Sequence, residues 1–177
     1  MQYSIELQFN THSNQQIQRI IDLLMKEKVN SVAIKQIIIP HLTLAVYDTI
    51  DINEAINNLE SLRNKFKAFD LKLSGIGLFP SDEPHLFLIP KVTIELLTLH
   101  KYICELFDLY KNSQWQHYKP ENWIPHCSVA LYLSKKKIFD AIDIVIKYFQ
   151  PFIVRIDRIV LTGFPPHTLI HRKKLPD

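Results

Sequence analysis

The sequence predicts an α+β protein built from a duplicated unit. Apolar periodicity switches repeatedly between about two and about 3.6 residues, so strands and helices alternate along the chain. The order strand, helix, strand, helix, strand occurs twice. The segment Pro40-His41-Leu42-Thr43-Leu44-Ala45-Val46-Tyr47 also matches Pro125-His126-Cys127-Ser128-Val129-Ala130-Leu131-Tyr132 at a constant offset of 85, and Phe79-Pro80 and Phe164-Pro165 share that offset.

Each element has a local reason. Tyr3 to Phe9 alternates apolar and polar residues, as a half-buried strand does. Asn14 to Glu27 places Ile17, Ile20, Ile21, Leu24 and Met25 at helical spacing, with cap candidates over Thr11 to Asn14. Ile37 to Tyr47 is β-rich and broken only by Pro40; Asn53 to Phe66 is helical through Ile56, Leu59, Leu62 and Phe66; Phe69 to Leu78 is a strand. The series then restarts with a strand over His85 to Ile89. A helix over Thr93 to Tyr110 carries Leu96, Leu99, Tyr102, Ile103, Leu106 and Phe107. Ile124 to Leu133 is a strand, Lys135 to Phe149 a helix, Phe152 to Leu161 a strand, and Thr168 to Arg172 a last short strand.

The 177 residues, 47% apolar and 22% charged, suffice for one core and exclude disorder as the main description. No proline-, glycine- or serine-rich linker divides the chain, so a single domain over 1–177 is expected, with halves near 1–83 and 84–177. No apolar run approaches the ~20 residues of a membrane span, and the N-terminal residues read neither as a basic start nor as a signal segment. Cys104 and Cys127 alone build no disulfide framework and no four-cysteine zinc site, so a reducing, cytoplasmic setting is expected. A net charge of +3 lacks the clustered basic excess of a duplex-DNA binder, yet admits a small anion or a nucleic-acid end.

The repeat carries chemistry. Alternation along an extended strand puts His41, Thr43, Ala45 and Tyr47 on one face, and His126, Ser128, Ala130 and Tyr132 on the corresponding face of the second copy. Imidazole and hydroxyl are then about 6.6 Å apart at the backbone, a spacing that suits convergence on one tetrahedral anion, with alanine leaving room beside them. In-line hydrolysis of a phosphodiester needs a base on the attacking oxygen and an acid on the leaving oxygen. Two histidines flanking one phosphorus meet that need, and two hydroxyls supply hydrogen bonds to the non-bridging oxygens.

The two copies of Pro-His-x-[Thr/Ser], with Trp123-Ile124 leading into the second, resemble the paired signature of the 2H phosphoesterase superfamily, which contains 2′-5′ RNA ligase-like proteins and cyclic phosphodiesterases. The resemblance covers the whole chain. It implies two pseudo-symmetric lobes, each an antiparallel sheet backed by helices, with an active cleft between them. It further implies that His41 and His126 are catalytic and that Thr43 and Ser128 bind phosphate; serine in the second copy departs mildly from the pattern and keeps the donor. Members act on 2′,3′-cyclic phosphates at RNA ends, on 2′-5′ linkages or on cyclic phosphates of small nucleotides, many without a metal. A metal-independent phosphodiesterase with RNA ends or small nucleotides as substrate, no cofactor, no metal and no membrane or protein partner is therefore expected. The alternative is a non-catalytic module that binds RNA ends or nucleotides in the same cleft.

Other residues have plainer readings. Tyr47 and Tyr132 lie about 20 Å along the strand from their histidines and read as structural. Cys127 falls on the apolar face as a buried small hydrophobe. Lys135 to Lys137 read as a solvated helix start. The aromatics of Ser113 to Trp123 either stack on a base or pin their loop to the core, the second being favoured. His85, His167 and His171 carry no role, although His167 and His171 can share a strand face; His171 to Lys174 read as a solvated tail.

Overall fold

The computed structural model describes residues 1–29, 39–62 and 65–177. Seven strands form one antiparallel sheet: β1 (Gln2–Phe9), β2 (His41–Tyr47), β3 (Phe69–Phe79), β4 (His85–Pro90), β5 (Cys127–Ala130), β6 (Phe152–Phe164) and β7 (Thr168–Lys174). Four α-helices accompany them among the described residues: α1 (Thr11–Lys26), α2 (Ile52–Ser61), α3 (Ile94–Leu106) and α4 (Lys135–Tyr148). The expected α+β class is what the chain adopts. The strand expected from Ile37 begins at His41, and residues 37–38 lie outside those described.

Each helix starts where a short polar side chain accepts an otherwise unpaired backbone N–H. Asn10 caps α1, one residue ahead of the expected candidates, and Asp51, Thr93 and Ser134 cap α2, α3 and α4. The helix expected to reach Tyr110 ends at Leu106 and passes into a 3₁₀ turn over Asp108–Tyr110. The last strand runs on to Lys174. Leu175 behind it is buried and donates its N–H to the Asp157 carbonyl, so the basic C-terminal segment is an integral strand and not a solvated tail.

The long strand β6 organises the sheet, whose path is β2-β1-β6-β3-β4-β5. Ile156 pairs with both Phe9 and Phe69, so β1 and β3 take opposite edges of β6. Arg158 pairs with both Gln8 and Lys174, which puts β7 on the same edge as β3, further along. The two motif strands β2 and β5 end the path, yet they contact one another. Helix α1 packs on β5 and α4, whereas α3 packs on β2, so each helix backs a motif strand distant in sequence. Ile5, Leu7, Leu42, Leu71, Leu88, Leu99, Val129, Ile156 and Leu161 belong to one continuous buried cluster.

A register detail overturns one expectation. Ala45 pairs with Ile5 while Thr43 pairs with Glu6, so Leu44 is an extra residue in β2. Ala130 pairs with Leu86 while Ser128 pairs with Phe87, so Val129 is likewise extra in β5. An inserted residue reverses the alternation beyond it. Ala45, Tyr47 and Ala130 therefore turn into the core instead of continuing the face of His41 and His126. The alanines do not make room beside the motif side chains.

Candidate active site

His41 opens β2 and His126 immediately precedes β5; both are partly buried. Each follows a proline, and each Nδ1 lies 2.7 Å from the carbonyl two residues back, Ile39 for His41 and Ile124 for His126. A carbonyl only accepts, so each Nδ1 carries the proton of the hydrogen bond. In the neutral imidazole the lone pair then sits on Nε2, and both histidines present the same reactive nitrogen. The two motifs touch, since β2 contacts β5 and the His41 backbone lies beside the Cys127 thiol. Burial pushes that thiol up to about 12, which leaves it the inert apolar residue expected of it.

The hydroxyls occupy matching positions. Thr43 and Ser128 lie beyond their histidines and before the bulges, on partly exposed sites. Thr43 lies beside the Tyr118 phenol, whose pKa it lowers against the larger effect of burial, and its carbonyl accepts from Trp123 Nε1 at 3.0 Å. Trp123 also stacks in parallel on His100 with ring centres 3.8 Å apart. Trp115 Nε1 donates to Asp48. The aromatics between Ser113 and Trp123 thus pin their segment, and they pin it to the strand that carries His41.

The two histidines have unlike surroundings. His126 lies among aromatic rings, edge-on to Phe79 at 4.8 Å and tilted against Phe87 at 5.2 Å. Burial lowers its pKa; the Ile124 carbonyl opposes this, and the nearby charges of His41 and His85 add to it. Phe87 reaches that position because Gly77 pairs with it across β3 and β4, where a Cβ would lie 2.5 Å from the ring.

His41 instead faces Glu6 of β1, whose Oε2 lies 3.8 Å from Nδ1. Glu6 pairs directly with Thr43 and is only 2% exposed. Burial alone would raise its pKa. The charge of His41 and hydrogen bonds from His167, Ser4 and Thr162 outweigh that and bring it to about 2. His167 stacks 6.4 Å from His41, so a third imidazole joins this side. It does not share a strand face with His171, because it lies ahead of β7 and turns to Glu6, while His171 bonds Glu60. Sequence reasoning missed Glu6 and left His167 without a role. The available signal was the polar series Ser4, Glu6, Gln8 on a strand whose neighbours are all apolar; all three are buried.

The remaining candidates lie apart from these groups. Tyr47 is buried and stacked on Phe107. Tyr132 is exposed and meets His85 edge-on. Lys135 pairs with Asp82, while Lys137 Nζ donates to the carbonyls of Lys28 and Val29 at the end of α1. Among the described residues no helix is long and apolar enough to cross a membrane, and no cluster of three or more His, Cys, Asp or Glu side chains could hold a metal.

This paired arrangement on an antiparallel sheet defines a class of protein. Residues 13–164 match the model of the 2′-5′ RNA ligase superfamily, and the chain belongs to that family, the 2H phosphoesterases. Among solved structures, LigT of E. coli in its apo form is 14% identical with a TM-score of 0.65, the match covering 99% of this chain and 98% of that one. TT0787 of Thermus thermophilus gives the same identity, TM-score and coverage. LigT of E. coli complexed with 3′-AMP is 15% identical at a TM-score of 0.63, again over 99% and 98% of the two chains. No curated protein matches the chain in sequence.

Proposed function

We propose that the protein is a metal-independent phosphodiesterase that opens 2′,3′-cyclic phosphates or related RNA and nucleotide ends. The observation that carries this reading is the contact of two Pro-His strands whose histidines share one hydrogen-bond geometry, with Nε2 left as the reactive atom. Insertions at Leu44 and Val129, again 85 residues apart, support the derivation of both strands from one repeated unit. The 3′-AMP bound by LigT of E. coli supports a nucleotide as the ligand class.

The unlike surroundings divide the labour. His126, with its lowered pKa, is neutral at pH 7 and acts as base: its Nε2 takes a proton from water as the water oxygen bonds to phosphorus. His41, backed by the Glu6 carboxylate, acts as acid: its Nε2 proton passes to the ribose oxygen as the P–O bond breaks. Thr43 and Ser128 donate to the non-bridging oxygens and hold the phosphorus between the two nitrogens.

The test is turnover of the four nucleoside 2′,3′-cyclic monophosphates in EDTA, for the wild type, His41→Ala and His126→Ala. Chelator-resistant hydrolysis is expected in the wild type, falling about a hundredfold or more in either variant. Saturable binding without turnover would replace this reading with the non-catalytic nucleotide-binding module. Full activity in His126→Ala would overturn the two-histidine mechanism.

A further inference from the structure

We propose that Glu6 is a positioning residue for His41, sharing one buried carboxylate between His41 and His167. The inference rests on the acid role given to His41 above. Glu6 Oε1 accepts from Ser4 Oγ at 2.6 Å and Thr162 Oγ1 at 2.7 Å, with His167 Nε2 at 3.4 Å. Glu6 Oε2 is fully buried without a hydrogen-bond partner, and it is the oxygen 3.8 Å from His41 Nδ1. A buried carboxylate oxygen left unpaired is costly. Here it stands behind an imidazole whose Nδ1 proton is already bound to Ile39, so it acts on His41 through charge.

Glu6 keeps partners other than His41 through the proposed reaction, namely Ser4, Thr162 and His167 at Oε1. Before the acid step the imidazolium of His41 faces Glu6. When the Nε2 proton passes to the leaving ribose oxygen, that positive charge departs from His41. His167 Nε2 remains 3.4 Å from Glu6 Oε1, and Glu6 raises the pKa of that imidazole, so the carboxylate keeps a second imidazole beside it.

Titration at this site involves groups from every packed element. His41 faces Glu6 from β2 and His167 from the β6–β7 turn, while His126 and the Cys127 thiol neighbour His41 from the β5 side. Tyr118, whose phenol Glu6 also perturbs, approaches Thr43, while His100 of α3 is stacked on Trp123. Glu6 is the acidic group within this set.

The experiment compares wild type, Glu6→Gln and His167→Gln by pH–rate profile. The glutamine at position 6 retains an acceptor for Ser4 and Thr162 but turns a neutral N–H toward the Nδ1 proton of His41. Glu6→Gln should lower kcat about tenfold with KM within about twofold of wild type, and move the alkaline limb of kcat/KM to lower pH. His167→Gln should move that limb to higher pH, because Glu6 then serves His41 alone. Opposite shifts are not expected from a merely structural role. If Glu6→Gln does not fold, the His167→Gln profile decides. An unmoved limb in both, or shifts of the same sign, would overturn the proposal. If the wild type turns over no substrate, the two-histidine reading fails by itself. Imidazole NMR titrations of the same proteins then decide the inference, and a His41 curve unchanged in Glu6→Gln overturns it.

Discussion

The buried carboxylate makes acid stability a direct test of the site's electrostatics. Glu6 moves from an ordinary 4.5 to about 2 on folding, despite burial that acts in the opposite direction. One pKa unit corresponds to about 1.4 kcal/mol, so the ionised carboxylate contributes about 3 kcal/mol to stability. A folded value below the unfolded one means that this contribution is present above pH 4.5 and is lost as pH falls through about 2. Solvent screening reduces it little at a residue 2% exposed. The raised His167 pKa reports part of the same interaction from the other partner; its contribution is present below 6.5 and lost as pH rises through the folded value, so the two are not added. The assay is urea denaturation of wild type and Glu6→Gln at steps between pH 6 and pH 2, with circular dichroism as the probe. Glutamine does not titrate, so the stability difference between the two proteins should shrink by about 3 kcal/mol between pH 5 and pH 2. Two curves that stay parallel would refute the claim that Glu6 is held as an anion.

Two further predictions concern the scaffold of the site. Gly77→Ala puts a Cβ within 2.5 Å of the Phe87 ring, which rests on His126; a cost of about 1–3 kcal/mol and a fall in turnover should appear together in melting and kinetic measurements. Trp123→Phe removes the donor to the Thr43 carbonyl and should cost about 0.5–1.5 kcal/mol in denaturant unfolding, a change within error arguing against that tether.

The motif residues were legible because they are local. Pro-His-x-Thr and Pro-His-x-Ser are short strings, and the offset of 85 between them needs no coordinates. Helix positions followed from periodicity, and their ends shifted by a few residues where caps such as Asn10 lay outside the apolar pattern. The bulges were not legible. Leu44 and Val129 are apolar residues in apolar runs, and only their partners in β1 and β4 reveal that each is supernumerary. Strict alternation therefore put Ala45 and Ala130 on the wrong face.

Glu6 and His167 escaped for a related reason. They lie 161 residues apart, and each is ordinary in its own segment. Their meeting depends on β6 pairing with β1 while the β6–β7 turn carries His167 back over Glu6.

By itself the sequence determined the α+β class, the two histidines with their following hydroxyls, and the apolar surfaces that bury Cys127 and Val129. These follow from side-chain chemistry and from periods of two and about 3.6 residues, which are properties of a single segment. Only the tertiary structure decided that the two histidines differ, one enclosed by Phe79 and Phe87 and the other set before a buried carboxylate. Desolvation and Coulomb interaction depend on what surrounds a group in space, and those neighbours come from strands far away in the chain.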